Sequence, residues 1–137
     1  IGEAVGDGSK VKIVNNMLAA INLVAAGEGL ALADRLGLDR RIVHDVIAAS
    51  SGDSFVFRTR VGRVVEGDRT VHAAAHILAK DIGIATKVAA RVGLTTPLAE
   101  GARAAFRRAV EDLGLGDADD SAITEAHRFA ERKRDPD

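Results

Sequence analysis

The chain has 137 residues, enough for one domain with a core of its own. Nineteen basic residues face twenty acidic ones for a net charge of −1, and aromatic residues make up 3% of the chain; this excludes the cationic footprint of a nucleic-acid binder and the stacking platform of a single-strand binder. With 47% apolar residues the chain is not disordered, and with no cysteine it has no disulfide, thiolate metal site or thiol nucleophile, a composition that fits a reducing, cytoplasmic setting. The most apolar stretch, 17–33, is interrupted by Asn22, Glu28 and two glycines. It falls short of the roughly 20 apolar residues of a membrane span, so no membrane association is expected. The first residue is Ile1 rather than Met, which points to a chain processed, trimmed or cut from a longer one.

The pattern throughout is helical, with no alternating strand signal. A first helix is expected over 9–37, where Val14, Met17, Ile21 and Val24 recur at helical spacing and apolar residues then spread around most of the circumference, as in a buried helix. Asp39 reads as the N-cap of a second helix over 40–50, with Ile42, Val43, Val46 and Ile47 on its apolar face. A third helical stretch covers 54–65, with Phe55, Val61 and Val65 inward. The fourth runs over 71–92, where Ala75, Leu78, Ile82, Ala85 and Ala89 form one line and Gly93 closes the helix. Thr96 and Pro97 open a fifth helix reaching 113. Asp119 or Asp120 caps a last one over 121–132, followed by a charged, frayed tail. The expected fold is all-α: a multi-helix domain built around one long, largely buried central helix.

Lys12, Asn15 and Asn16 bring an amine and two amides to neighbouring positions on the first turns of that helix, because residues three and four apart share a face. A solvated lysine with two polar neighbours explains the spacing. So does a small binding site, since buried polar groups need partners and a partly desolvated lysine can move protons near neutral pH. Lys80 lies about 200° from Leu78 on the helical wheel, away from the apolar line, while Asp81 has apolar neighbours three and four residues away. His72 and His76 have the spacing of a metal pair without an evident third ligand, and no metal site is expected. His44 and His127 read as helix-surface residues.

The run Gly6-x-Gly8-x-x-x-Lys12-x-x-Asn15-Asn16 resembles the start of the C-terminal domain of the β-hydroxyacid dehydrogenases, the 3-hydroxyisobutyrate dehydrogenase family related to 6-phosphogluconate dehydrogenase. Residues 26–38 (AGEGLALADRLGL), Lys80-Asp81 with Ile82-Gly83-Ile84-Ala85, the segment GLTTPL over 93–98 and Asp119-Asp120-Ser121-Ala122 resemble its later landmarks in order and spacing. Within the family, 50–58 (SSGDSFVFR), the Gly67-Asp68 turn and the DDSA segment are most similar to dehydrogenases of L-threonate and related sugar acids.

The resemblance implies that 1–137 is a single all-helical C-terminal domain. The N-terminal Rossmann domain that binds most of the NAD or NADP would then be absent from this chain, and the chain alone would be inactive. It implies an oxidoreductase that oxidises a 3-hydroxy acid or sugar acid by hydride transfer. Lys12 would be the catalytic acid and base, Asn16 and Asn15 would face the substrate, and Lys80 would reach the cofactor, while Asp81 supports the cleft wall. The expected partners are a small hydroxyacid and further copies of the chain, as a homodimer or homotetramer. A non-catalytic helical dimerisation or binding module is the competing expectation.

Overall fold

A computed structural model describes residues 6–134 of the chain. The expectations concerning Ile1 and the last three residues of the tail lie outside the described residues. Helix α1 spans Asp7–Arg35 and starts from Gly6, whose positive φ of 92° suits a residue without Cβ. At 1.5 Å per residue it is about 43 Å long. By length and composition it is long and apolar enough to cross a membrane, with a mean hydropathy of 1.4, more than the interrupted stretch 17–33 led us to expect. In the fold it is the core helix. Ala20 and Leu23 pack with Leu78 and Ile82, with Ala102 and Phe106, and with Ile123. Its burial is one-sided and begins at Ala20, whereas Val11, Val14 and Leu18 stay exposed.

Helix α2 is Arg40–Ala48, and Asp39 caps it by accepting hydrogen bonds from the backbone N–H of Arg41 at 2.8 Å and Ile42 at 3.1 Å. Half of its expected apolar face is used. Val43 and Ile47 pack on the cluster of Ala26, Leu30, Phe57 and Val61, while Ile42 and Val46 are exposed. The expected third helix is divided into a π-helical turn, Phe57–Val61, and helix α3, Gly62–Glu66. Its wider i→i+5 turn shifts the helical register. Phe55, expected inward, is therefore 69% exposed, and Phe57 is buried instead. His44 is also not a simple surface residue: its ring stacks on Phe57 at 5.7 Å and its Nε2 lies 3.1 Å from the carbonyl oxygen of Arg58.

Helix α4, Ala75–Arg91, buries the expected line Ala75, Leu78, Ile82, Ala85 and Ala89. Helix α5, Pro97–Glu111, lies against it and contributes Ala99, Ala102, Phe106 and Ala109 to the core. Thr96 precedes Pro97 without forming a side-chain cap. The expected last helix begins as a 3₁₀ turn, Asp120–Glu125, and becomes α6, Ala126–Arg134. That turn lies so close to α1 that a Cβ on Gly27 would meet the backbone oxygen of Ile123 and the Cα of Thr124, each at 3.1 Å. Among the described residues no strand forms; one isolated antiparallel bridge joins Ala74 to Asp119.

Candidate functional site

Asn15 and Asn16 on α1, Asp81 on α4 and Asp120 at the start of the 3₁₀ turn come from three distant points in the sequence. They line one cleft of about 500 Å³, together with Asn22 and Arg60. Its floor is apolar, formed in part by Leu23, Val56 and Leu78. This combination of an apolar floor and a few convergent polar groups is the usual composition of a small-molecule site.

The polar groups at one end are linked. Nδ2 of Asn16 donates to Oδ2 of Asp81 at 2.8 Å, and Nδ2 of Asn15 donates to Oδ1 of Asn16 at 3.3 Å. The other oxygen of Asp81 lies 3.8 Å from Nζ of Lys80. Asp81 is thus more than a wall: it fixes the rotamer of Asn16 from across the cleft and couples it to Lys80. Lys12 continues the row of Asn15, Asn16 and Ala19 one turn toward the helix start. It is exposed and, among the described residues, forms no ion pair or hydrogen bond. It is not among the residues that line the cleft.

Lys80 does not enter this cleft. It is exposed, as its place on the wheel indicated, and lines a second groove of about 370 Å³ between α4 and α5. Lys87, Arg103 and Arg107 line the same groove, with Glu111 opposing them. The structure therefore brings Asn15, Asn16 and Asp81 together, leaves Lys12 exposed and outside the cleft lining, and places Lys80 in a separate groove.

Asp119 and Asp120 are adjacent, both buried, and differently treated. Asp119 accepts from the backbone N–H of His72 at 2.8 Å, Ala73 at 3.3 Å and Ser121 at 3.1 Å, and from Arg63 at 2.8 Å. Burial alone would raise its pKa, but the hydrogen bonds from Ser121, His72 and Ala73 outweigh that and hold it well below the usual carboxylate range. Burial shifts the pKa of Asp120 the other way, upward from its ordinary value, which the neighbouring Arg60 offsets in part. Its side-chain contact is one hydrogen bond from Nε of Arg60 at 3.3 Å.

Sequence reasoning missed Arg60, Asn22 and the cleft role of Asp120. Asn22 was visible as a polar break in an apolar run. For Arg60 no local signal existed, because the π-helical turn aims it. His72 and His76 are not assembled into a ligand set; among the described residues no three His, Asp or Glu side chains are placed to hold a metal ion.

Residues 6–127 match the family model described as NAD-binding of NADP-dependent 3-hydroxyisobutyrate dehydrogenase. The chain is 40% identical over 123 residues to L-threonate dehydrogenase of Cupriavidus necator, covering 90% of this chain and 41% of that protein. Against L-threonate dehydrogenase of Escherichia coli K12 it is 38% identical, covering 90% and 40%. A crystal structure of 3-hydroxyisobutyrate dehydrogenase from Salmonella typhimurium superposes with a TM-score of 0.82 at 37% identity, over 87% of this chain and 41% of that one. The chain thus spans about 40% of the length of the curated relatives it matches.

Proposed function

The chain belongs to the family of NAD-binding domains of NADP-dependent 3-hydroxyisobutyrate dehydrogenases, and from that premise we propose that it is the catalytic and oligomerisation part of an NAD(P)-dependent hydroxyacid dehydrogenase. The substrate class is a 3-hydroxy acid or sugar acid, oxidised to the matching oxo acid or formed from it. The observation that carries this reading is the row Lys12, Asn15 and Asn16 running along one helix face into a polar cleft over an apolar floor.

Lys12 acts as the proton carrier. In the oxidative direction its neutral amine accepts the hydroxyl proton of the substrate; in the reductive direction its ammonium returns a proton to the carbonyl oxygen, and its charge stabilises the developing alkoxide. Asn16, held by Asp81, presents its amide to the same oxygen-bearing carbon, and Asn15 supports Asn16. Bound NAD(P) supplies the hydride acceptor or donor. The groove around Lys80 fits such a group chemically, since Lys80, Lys87, Arg103 and Arg107 outnumber Glu111 and the phosphates of a dinucleotide are anionic.

Lys12 is exposed in this chain, whereas proton transfer next to hydride transfer calls for exclusion of water. We assign that cover to an N-terminal Rossmann domain, and the chain spanning about 40% of its relatives supports room for one. The chain alone is then expected to be inactive. Val11, Val14 and Leu18 on α1 and Leu94 and Leu98 near the start of α5 are exposed, and we assign them to contacts with further copies as a homodimer or homotetramer. The cysteine-free composition suits a cytoplasmic enzyme. The test is reduction of NAD⁺ and NADP⁺ by the full-length protein over a panel of 3-hydroxy acids and aldonic acids, with this chain assayed alongside. Turnover by the full-length protein and silence of the chain are expected. Dinucleotide binding without turnover of any hydroxyacid would favour a non-catalytic dimerisation module.

A further inference from the structure

We propose that Asp120 and Arg60 form a hydroxyl-reading end of the cleft, which selects polyhydroxylated acids over hydroxy acids carrying an alkyl group in the same place. The inference rests on the dehydrogenase reading and goes beyond it by assigning specificity to two residues outside the Lys12–Asn16 row.

The argument begins with what Asp120 does not do. Capping of the 3₁₀ turn belongs to Asp119, whose carboxylate accepts from Ser121 and from two further backbone N–H groups. Asp120 makes no such bond. Its side chain is 6% exposed, yet it lines the cleft, and its one side-chain hydrogen bond among the described residues is the 3.3 Å contact from Arg60. A carboxylate withdrawn from water needs several donors to remain ionised, and burial already presses Asp120 toward its protonated form.

Arg60 is similarly under-used. Its Nη1 reaches Thr59 at 3.4 Å, and its Nη2 has no hydrogen-bond partner among the described residues. The cleft end thus offers spare acceptor capacity on Asp120 beside spare donors on Arg60, with the Asn22 amide nearby on α1.

A hydroxyl group answers both needs at once, donating its proton to Asp120 and accepting from Arg60. A methyl group answers neither and leaves the spare acceptor capacity of buried Asp120 and the spare donors of part-buried Arg60 unmet. Asn15 and Asn22 lie two turns apart, about 10 Å along α1, which leaves room for carbons beyond the reacting centre.

The experiment measures kcat/KM of the full-length enzyme for 2,3,4-trihydroxybutanoate and for 3-hydroxy-2-methylpropanoate. Wild type should prefer the trihydroxy acid. In Asp120→Ala and in Arg60→Leu the ratio between the two substrates should fall by about tenfold to a hundredfold, mainly through KM for the trihydroxy acid. Asp120→Asn, which keeps the shape and one acceptor, should move the ratio the same way by less and covers the case in which Asp120→Ala does not fold. An unchanged ratio, with both substrates losing equally, would make the pair structural and overturn the inference while the dehydrogenase reading stands. A wild-type preference for the methyl acid would do the same. Turnover of neither acid, nor of any other hydroxyacid, would overturn the dehydrogenase reading itself and this inference with it.

Discussion

Two polar clusters are anchored on α1, one at Asn16 in its first half and one at Asp34 near its end, about 27 Å apart along the axis between those two residues, and they are built on different terms. Near Asp34, Arg40 donates to both carboxylate oxygens at 2.8 and 2.6 Å, and Arg128 adds a third contact at 3.2 Å. Glu125, buried beside them, meets Arg40 at 3.3 Å and Arg69 at 3.0 Å. Hydrogen bonding from Arg40 accordingly holds Asp34 below its ordinary pKa. Near Asn16 the bonding is sparser: Asp81 accepts one short hydrogen bond, from Asn16, and Asp120 is buried with a single long contact. A set of charges that answers itself is scaffolding. A set left open toward a cleft is built for something else to complete.

The comparison can be broken first at the closed end. Arg40→Ala removes the donor shared by two carboxylates, one of them buried, leaving Asp34 only Arg128 and Glu125 only Arg69 and Arg128, and should lower stability by about 3 kcal/mol, read as a shift of the urea midpoint in the full-length protein. A loss within experimental error would show that the cluster is not scaffolding.

Asp119 belongs with the closed set although it borders the cleft. Its folded pKa lies below the unfolded value of about 3.9, so its stabilisation is present above that value and is lost as the pH falls through the folded one. Asp119→Asn should cost about 2 kcal/mol near neutrality, with a deficit that shrinks as the medium is acidified below about pH 4. A deficit independent of pH would mean that the charge of Asp119 carries no weight.

At the open end the effects should fall on activity instead. Asn16→Ala removes the amide and frees Asp81, and a fall of about tenfold in kcat/KM is expected with little change in the unfolding midpoint. Asp120 should show the smallest effect on stability, with the opposite sign to Asp119. Its raised pKa means that its charged form costs stability above the unfolded value and that acidification relieves the cost. Asp120→Asn is therefore expected to leave stability near neutral pH unchanged or raise it by up to about 1 kcal/mol. A large destabilisation by Asp120→Asn would move this residue into the scaffold and erase the contrast.

What could be read from the sequence follows the range of the interactions. The line Ala75, Leu78, Ile82, Ala85 and Ala89 was legible because one uninterrupted helix repeats its period. The Asp39 cap was legible because capping is local. Phe55 was misplaced because the π-helical turn at Phe57–Val61 shifts a register that periodicity assumes constant. The start of the last helix was misjudged because the Asp-Asp-Ser segment tightens into a 3₁₀ turn under α1.

In the site, Lys12, Asn15 and Asn16 share one helix and could be grouped by spacing. The bond between Asn16 and Asp81 joins residues 65 apart in sequence, and the cleft end at Arg60 and Asp120 is assembled from two elements with no local pattern in common. Tertiary packing alone brings them together.

The central claim is that the row beginning at Lys12 performs proton transfer. The most direct test compares NAD(P)⁺ reduction by the full-length wild type and Lys12→Ala, at the pH optimum of the wild type, with circular dichroism confirming an unchanged fold. The account predicts a loss of about a hundredfold to ten-thousandfold in kcat with dinucleotide affinity retained. A folded Lys12→Ala protein that keeps wild-type kcat on any hydroxyacid would contradict it.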